Sequence, residues 1–293
     1  MNVPYSATKE DLFYPARRRA FFPDGRPASD AALCAEMARL AYARREPDFA
    51  FDQDQILKVT LAIGFRECKF FENPTGPQGQ GSHGFLAIDD TAKLAVLSFR
   101  GTDADDPTDL IDDIEASLEP WRGIGKVHSG FAGALNQIWD KVETGLASVA
   151  GAKLLFTGHS LGAAMATLAA SLQLPSSLHT FGSPRAGDAE FVAALEQRQF
   201  ENRRYVDCCD VVTRVPPDGL ARYTHIGRPF YIDLARAVQQ RDPNDEYIEK
   251  DRCEAEVQYI ENDAWRIGNV AVRPLADHAP INYVWPVSVA SGA

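Results

Sequence analysis

Apolar positions along the chain change period several times, and the changes mark the elements. After Ser29-Asp30, Leu33, Met37, Leu40 and Ala41 share one face at helical spacing. A serine just ahead of the first periodic residue is a helix start signal. A second helix follows Asp52, carries Ile56, Val59 and Ile63, and stops at Gly64. The segments Glu67 to Phe71, Phe85 to Ile88 and Lys93 to Phe99 then read as strands. The last two form a hairpin through Asp89-Asp90. Lys153-Leu154-Leu155-Phe156 is a short continuous apolar run suited to a strand buried on both faces. The alanine-rich segment Leu161 to Leu172 forms a helix able to lie close to that strand, and Arg204 to Cys209 reads as another strand. Strands that alternate with helices after an initial hairpin predict an α/β protein. Its central sheet is mixed, mostly parallel and antiparallel at its start, with helices on its flanks. No Pro/Gly/Ser-rich linker or internal repeat divides the 293 residues. They are read as one domain, 1–293, with 1–28 a loose N-terminal arm.

Between the predicted strand and the alanine-rich helix lies Gly158-His159-Ser160-Leu161-Gly162. A G-x-S-x-G turn in that position holds its serine in a cramped, positive-φ conformation and pushes the hydroxyl clear of the sheet. The pentapeptide alone is a weak signal; the strand-turn-helix context makes Ser160 a candidate nucleophile. A nucleophilic serine requires a base, an acid to orient it, and donors for the oxyanion. His159 adjoins Ser160 and cannot turn back onto its hydroxyl. His83, His128 and His179 precede the acid candidates or adjoin strands, which leaves His225 and His278 as bases. Asp207 and Asp210 compete as the acid, and the loop position past the strand favours Asp210. Asp207 reads as an ion-pair partner. Asp277 reads as a solvated or capping residue, because adjacent side chains diverge and cannot orient one another's rings.

Several motifs then occur in a fixed order. They are Phe99-Arg100-Gly101-Thr102, Val127-His128-Ser129-Gly130-Phe131, Phe156 to Ala163, Phe181-Gly182-Ser183-Pro184-Arg185, Asp210 to Pro217, and Asp277-His278 with Tyr283. Together, from about Leu33 to Tyr283, the chain resembles the class 3 (fungal-type) lipases of the α/β-hydrolase superfamily. The resemblance implies an α/β-hydrolase fold with a helical lid, Ser160 as nucleophile, Asp210 as acid and His278 as base. The chain order Ser, Asp, His is that of α/β-hydrolases. His225 matches a position of the family that is not the catalytic histidine, so it reads as a packed, hydrogen-bonded residue. His128 reads as a structural residue between strand and helix. For the oxyanion hole, the amide of Leu161 opens the helix that follows the nucleophile, where the dipole favours an anion. The resemblance puts the second donor at Thr102.

The same resemblance makes 103–121 the lid. Asp106 before Pro107 is a helix start. Leu110, Ile114, Leu118 and Trp121 then fall on one helical face, with Ile111 beside them. Such a stripe can cover an apolar cleft and swing out at a lipid surface. The acidic run Asp103, Asp105 and Asp106 fails the spacing of a calcium loop, having no Gly at the sixth position and no Glu at the twelfth. No His/Cys cluster has zinc spacing, so no catalytic metal or other cofactor is expected.

A formal net charge of −11 argues against nucleic acid and strongly anionic membranes as partners. Arg17-Arg18-Arg19 is a short basic cluster, read as solvated in the arm. No apolar run is long enough for a transmembrane segment. An odd cysteine count of five and no recognisable signal peptide after Met1 suggest a cytoplasmic rather than a secreted protein. The expected function is a serine carboxylic-ester hydrolase, a lipase on acylglycerols in peripheral contact with lipid interfaces. The alternatives are an esterase on small or aromatic (feruloyl-type) esters, and an inactive hydrolase-fold binding protein.

Overall fold

The computed structural model describes residues 5–46, 49–73, 81–102, 117–217 and 223–292. An eight-stranded sheet runs through the chain with its strands in sequence order from edge to edge. They are β1 (Glu67–Asn73), β2 (Ser82–Asp89), β3 (Leu94–Phe99), β4 (Lys153–His159), β5 (Ser177–Phe181), β6 (Glu201–Asp207), β7 (Pro229–Ile232) and β8 (Val238–Gln240). β1, β2 and β3 pair antiparallel, as the hairpin signal at Asp89-Asp90 predicts. β3 through β7 are parallel, and β8 closes the far edge antiparallel.

Strand alternation divides the core in two. Leu86, Ile88, Ala95, Leu97, Phe99 and Phe156 face one cluster, which the helices Ser129–Asn136, Trp139–Ala147 and Leu161–Leu172 complete. Phe85, Ala87, Leu94, Val96 and Leu155 face the other, against the helices Asp30–Leu40 and Pro280–Ala290. Consecutive strand residues point to opposite faces, so a sheet covered on both sides needs unbroken apolar strands. β3 and β4 supply them.

Ser29 caps the helix Asp30–Leu40, its side chain accepting from the amides of Ala31 and Ala32. Asp52 caps Gln53–Ala62 through the amide of Gln55. The first helix is buried all round rather than on one face, because Pro280–Ala290 covers the side away from the sheet. Its two buried charged residues are therefore paired. Arg39 donates to both oxygens of Glu36 at 2.7 Å and to the carbonyl of Pro15 at 2.6 Å. Glu36 in turn accepts from the amide of Phe21 at 3.1 Å.

Three expectations are corrected. The described part of the N-terminal arm is docked, not loose. Lys9–Phe13 is a helix, and Leu12 and Phe13 are buried against Tyr259, Val270, Ala276 and Ala279. The amide of Ser6 donates to Asn282 at 2.8 Å, and Arg18 of the basic cluster binds Asp11 with two bonds of 2.5 Å. Apolar residues spaced within a short polar stretch found a groove that local pattern could not show. The second correction concerns the lid. Leu118 lies on a strand, Leu118–Pro120, that pairs with Lys126–His128. Trp121 is buried and donates its indole N–H to Ser171 at 2.8 Å. Pro120 and the positive-φ glycines Gly123 and Gly125 make a tight hairpin there, and turn chemistry overrides the apolar spacing. Leu110, Ile111 and Ile114 lie outside the described residues. The third correction is Asp277, which is fully buried rather than solvated.

Removing one partner of a buried ion pair leaves an uncompensated charge at a cost of about 3–5 kcal/mol. Arg39→Met should therefore lower the unfolding free energy by roughly that amount. Urea denaturation followed by tryptophan fluorescence measures it, and a loss under about 1 kcal/mol would mean that Glu36 is satisfied without Arg39.

Candidate active site

The turn between β4 and the helix Leu161–Leu172 is built with no room to spare. Ser160 has φ 57° and ψ −129°, a strained conformation for a residue with a side chain. A Cβ at residue 158 would stand 2.2 Å from the carbonyl oxygen of Gly162, and one at residue 162 would stand 2.3 Å from that of Phe99. Only glycine fits at either place. The amide of Ser160 donates to the carbonyl of Phe181 at 3.1 Å, tying the turn to the end of β5. His159 points away from the serine: its Nδ1 is hydrogen-bonded to the Tyr42 hydroxyl at 2.8 Å. Burial, with His278 close by, holds its pKa well below the ordinary value, so the ring stays neutral.

Asp210 follows β6 and is fully buried. One of its oxygens accepts from the amide of Val212 at 2.9 Å, the other from the Tyr283 hydroxyl at 2.5 Å. Nδ1 of His278 lies 3.0 and 2.9 Å from the two oxygens. Because a carboxylate only accepts, this nitrogen carries the proton and Nε2 has its lone pair free. That Nε2 is buried and has no hydrogen-bond partner among the described residues. The rings of His159 and His278 are 4.4 Å apart between centroids, so His278 sits beside the serine turn. Gly182 lies at the crossing point. A Cβ on it would come within 2.9 Å of Asp210 Oδ2 and 3.1 Å of both His278 Cε1 and His159 Nε2. The structure thus brings together the Ser160 turn, Asp210 and His278. It places Thr102 two residues beyond Arg100, in the stretch after β3 whose Phe99 and Arg100 backbone the Gly162 turn abuts.

The competing residues are occupied elsewhere. Nε2 of His225 donates to the carbonyl of Thr213 at 2.8 Å. Asp207 receives two bonds from Arg236, at 2.7 and 2.9 Å. His128 caps the helix Ser129–Asn136 by accepting from the amide of Phe131 at 3.4 Å, and its ring stacks on Phe131. Asp277 accepts from the Tyr5 hydroxyl at 2.8 Å, the amide of Cys209 at 2.9 Å and Arg273 at 3.2 Å. Ligand atoms of Cys208, Cys209 and Asp277 do lie within 4.8 Å of one another. Those bonds already occupy the carboxylate, and the Cys208 thiol is raised far above its usual pKa by its contact with Cys209 and by burial. The trio is therefore a poor donor set for a cation, which needs thiolates.

Two members of the site carried no role at the level of sequence. Gly182 and Tyr283 stand in recognisable motifs, yet nothing local shows that one clears space for the acid and the other donates to it. The Tyr283 oxygen also accepts from the amide of Asp207 at 3.1 Å. Burial and the Asp210 charge drive the phenol pKa far up, so the hydroxyl keeps its proton and donates it.

The fold is of the α/β-hydrolase type. Residues 96–220 match the model of the lipase (class 3) family. A triacylglycerol lipase from Arabidopsis thaliana is 28% identical over 211 residues, covering 52% of this chain and 41% of that one. Lipase II from Rhizopus niveus, a solved structure, is 26% identical with a TM-score of 0.53, covering 69% of this chain and 77% of that chain. A lipase structure from Yarrowia lipolytica shares the fold at a TM-score of 0.57 and 19% identity, covering 82% and 92%. The chain spans less than half the length of the first curated relatives it matches.

Tyr283→Phe removes the 2.5 Å bond to Asp210 and leaves the Asp207 amide unpaired. A hydrogen bond to a charged group is worth about 1.5–3 kcal/mol, so turnover of an ester should fall by roughly ten- to a hundredfold. KM should change little, because the phenol does not reach substrate. Steady-state kinetics on a soluble p-nitrophenyl ester give both numbers; an unchanged kcat would show that Val212 and His278 suffice to hold the acid.

Proposed function

We propose that the protein is a serine carboxylic-ester hydrolase that cleaves acylglycerol esters. The observation that carries this reading is the His278 ring, fixed by Asp210 at Nδ1 with its Nε2 free beside the strained Ser160 turn. In the reaction, His278 Nε2 takes the Ser160 proton as Oγ bonds to the acyl carbon. The carbonyl electron pair moves onto its oxygen, which the amides of Leu161 and Thr102 receive. The tetrahedral intermediate expels the alcohol, which takes the proton from His278, and leaves an acyl-serine. His278 next deprotonates a water that attacks the same carbon, and the acid departs as Ser160 recovers its proton. Asp210 keeps the imidazole in the required tautomer throughout and stabilises its charge.

The acylglycerol substrate is supported by relatives whose names specify triacylglycerol lipase and secreted mono- and diacylglycerol lipase. Contact with a lipid interface is proposed as peripheral, since no helix among the described residues is long and apolar enough to cross a membrane. The five cysteines are free thiols, which supports a reducing compartment such as the cytoplasm as the place of action. A second reading, an esterase on small or aromatic esters with a fixed cap, is favoured by the Trp121–Ser171 bond. That bond removes residues around Trp121 from any moving lid.

Ser160→Ala should abolish ester hydrolysis in a folded protein, a loss on the order of a millionfold in turnover. Mass spectrometry after an organophosphonate should find the adduct on Ser160, and hydrolysis above a percent of wild type without Ser160 would sink the assignment. Asp210→Asn should cost on the order of ten-thousandfold. Asp207→Asn should mainly reduce stability, because it weakens the buried pair with Arg236. His278→Ala should be inactive, with His225→Ala retaining turnover; the opposite pattern would move the base to His225.

The lid proposal rests on Leu110, Ile111 and Ile114. An apolar stripe held over a cleft costs about 25 cal/mol per Å² when water meets it, and a lipid surface shifts the population towards the open form. Activity on a medium-chain ester should rise abruptly past its solubility limit, and serine at residues 110 and 114 should flatten the rise. Smooth saturation in both proteins would establish the fixed-cap esterase.

A further inference from the structure

A cavity of about 490 Å³ lies beneath the loop that follows Asp210, between β6, β7 and the helix Glu246–Asn262. Neither Ser160, Asp210, His278, Leu161 nor Thr102 lines it. Its basic lining is Arg185, Arg204, Arg214 and Arg252, and none of the described lining residues is acidic. This is unexpected in a chain of net charge −11.

Arg204 is the centre of the argument. It sits on β6 and is only 4% exposed. Its guanidinium makes two long bonds, Nε to the carbonyl of Ile226 at 3.3 Å and Nη2 to that of Gly227 at 3.4 Å. It has no carboxylate partner among the described residues. Three other buried arginines show what the same fold does elsewhere: Arg39 faces Glu36, Arg236 faces Asp207 and Arg273 faces Asp277. A buried charge without a counter-charge is costly unless something else neutralises it. Desolvation and the like charge of Arg185 pull the pKa of Arg204 down to about 9, so its charge is held at neutral pH at a disadvantage that an anion would relieve.

The neighbouring cations are oriented by backbone. Arg252 donates to the carbonyl of Cys208 at 2.8 Å, and Arg185 donates to the carbonyls of Arg214 and Pro216 at 2.5 and 2.7 Å. The carbonyl acceptor fixes the Arg252 guanidinium in place without cancelling its charge. Val206, Pro229, Tyr231 and Ile248 form an apolar part of the wall, and Thr213, Thr224 and His225 line it as well. A volume in the small-molecule range, apolar walls and a few converging polar groups are the ordinary features of a ligand site. Planar guanidinium forks match carboxylate and phosphate oxygens equally well in geometry.

We propose that this cavity binds a small amphiphilic anion, with its carboxylate or phosphate head on Arg204 and Arg252 and its apolar part against Val206, Pro229, Tyr231 and Ile248. The site is separate from the ester-cleaving centre and does not depend on that reading.

The test is isothermal titration calorimetry on the full chain with sodium octanoate, octyl phosphate, inorganic phosphate and neutral octanamide, at one ionic strength set with chloride. At least one octyl anion should bind tenfold or more tightly than octanamide. Octanoate ahead of octyl phosphate would identify a fatty-acid-like ligand, the reverse a phosphate ester, and inorganic phosphate alone would show how much the head contributes. Arg204→Gln should weaken the preferred anion at least tenfold, and Arg252→Gln, a change at a partly exposed helix position, should weaken it severalfold with the fold intact. Ser160→Ala should bind as wild type does. Equal binding of anion and amide, or affinity that survives Arg252→Gln and falls in Ser160→Ala, would overturn the proposal and put the ligand in the catalytic cleft.

Discussion

Backbone crowding at the Ser160 turn is the constraint on which the rest of the molecule depends. Carbonyl oxygens of Phe99 and Gly162 occupy the places where side chains at residues 162 and 158 would begin. That closeness lets β3, β4 and the helix Leu161–Leu172 meet at one point, and it holds Ser160 at a φ of 57° that it would not adopt alone. The strain is maintained by what surrounds it. β4 pairs with parallel neighbours on both sides, and the helix is buried along nearly its whole length. Relaxing the serine would mean pulling the helix off the sheet.

Asp210 is held in a different way, through buried polar bonds with few alternatives. Three donors reach Asp210 from three parts of the chain: the following amide of Val212, His278, and Tyr283 on the last helix. The amide of Val211 also donates to the carbonyl of Pro274 at 3.1 Å, which ties the loop of Asp210 to the segment leading into His278. Tyr283 serves two neighbours at once, donating to Asp210 and accepting from the amide of Asp207. In a water-poor interior each such bond is stronger, and an unpaired member is correspondingly costly. The docked N-terminal segment adds to this assembly, since Tyr5 and Ser6 bond to Asp277 and Asn282 on either side of the His278 turn.

Charge is distributed by the same logic. Acidic residues dominate the chain, yet buried carboxylates such as Glu36, Asp207 and Asp277 are each matched to an arginine. The guanidinium of Arg204, which has no carboxylate partner among the described residues, departs from that pattern and coincides with a cavity of ligand size. An isolated surface arginine would carry no such implication, because water would solvate it. Burial is what turns a missing counter-charge into a chemical preference.

Much of this was legible in the sequence, where the requirement was local. Ser29 and Asp52 cap helices because their side chains reach amides two or three residues on. The hairpin at Asp89-Asp90, the apolar strands and the glycines flanking Ser160 follow from period and from backbone sterics. Position past the strand separated Asp210 from Asp207, the family resemblance separated His278 from His225, and the geometry joins the first of each pair. Other features were settled only by packing across the chain. Leu118 and Trp121 have helical spacing, but the Pro120 hairpin and a hydrogen bond to Ser171, fifty residues away, give them another role. The groove that receives Leu12 and Phe13, the partners that bury Asp277, the donors that converge on Asp210 and the lack of a carboxylate partner for Arg204 among the described residues all depend on segments distant in sequence. Sequence determines which residues can begin, end or cramp an element, because those forces act over a few bonds. Which buried polar groups find partners is decided by the tertiary structure, because burial and hydrogen bonding exist only once distant segments have met.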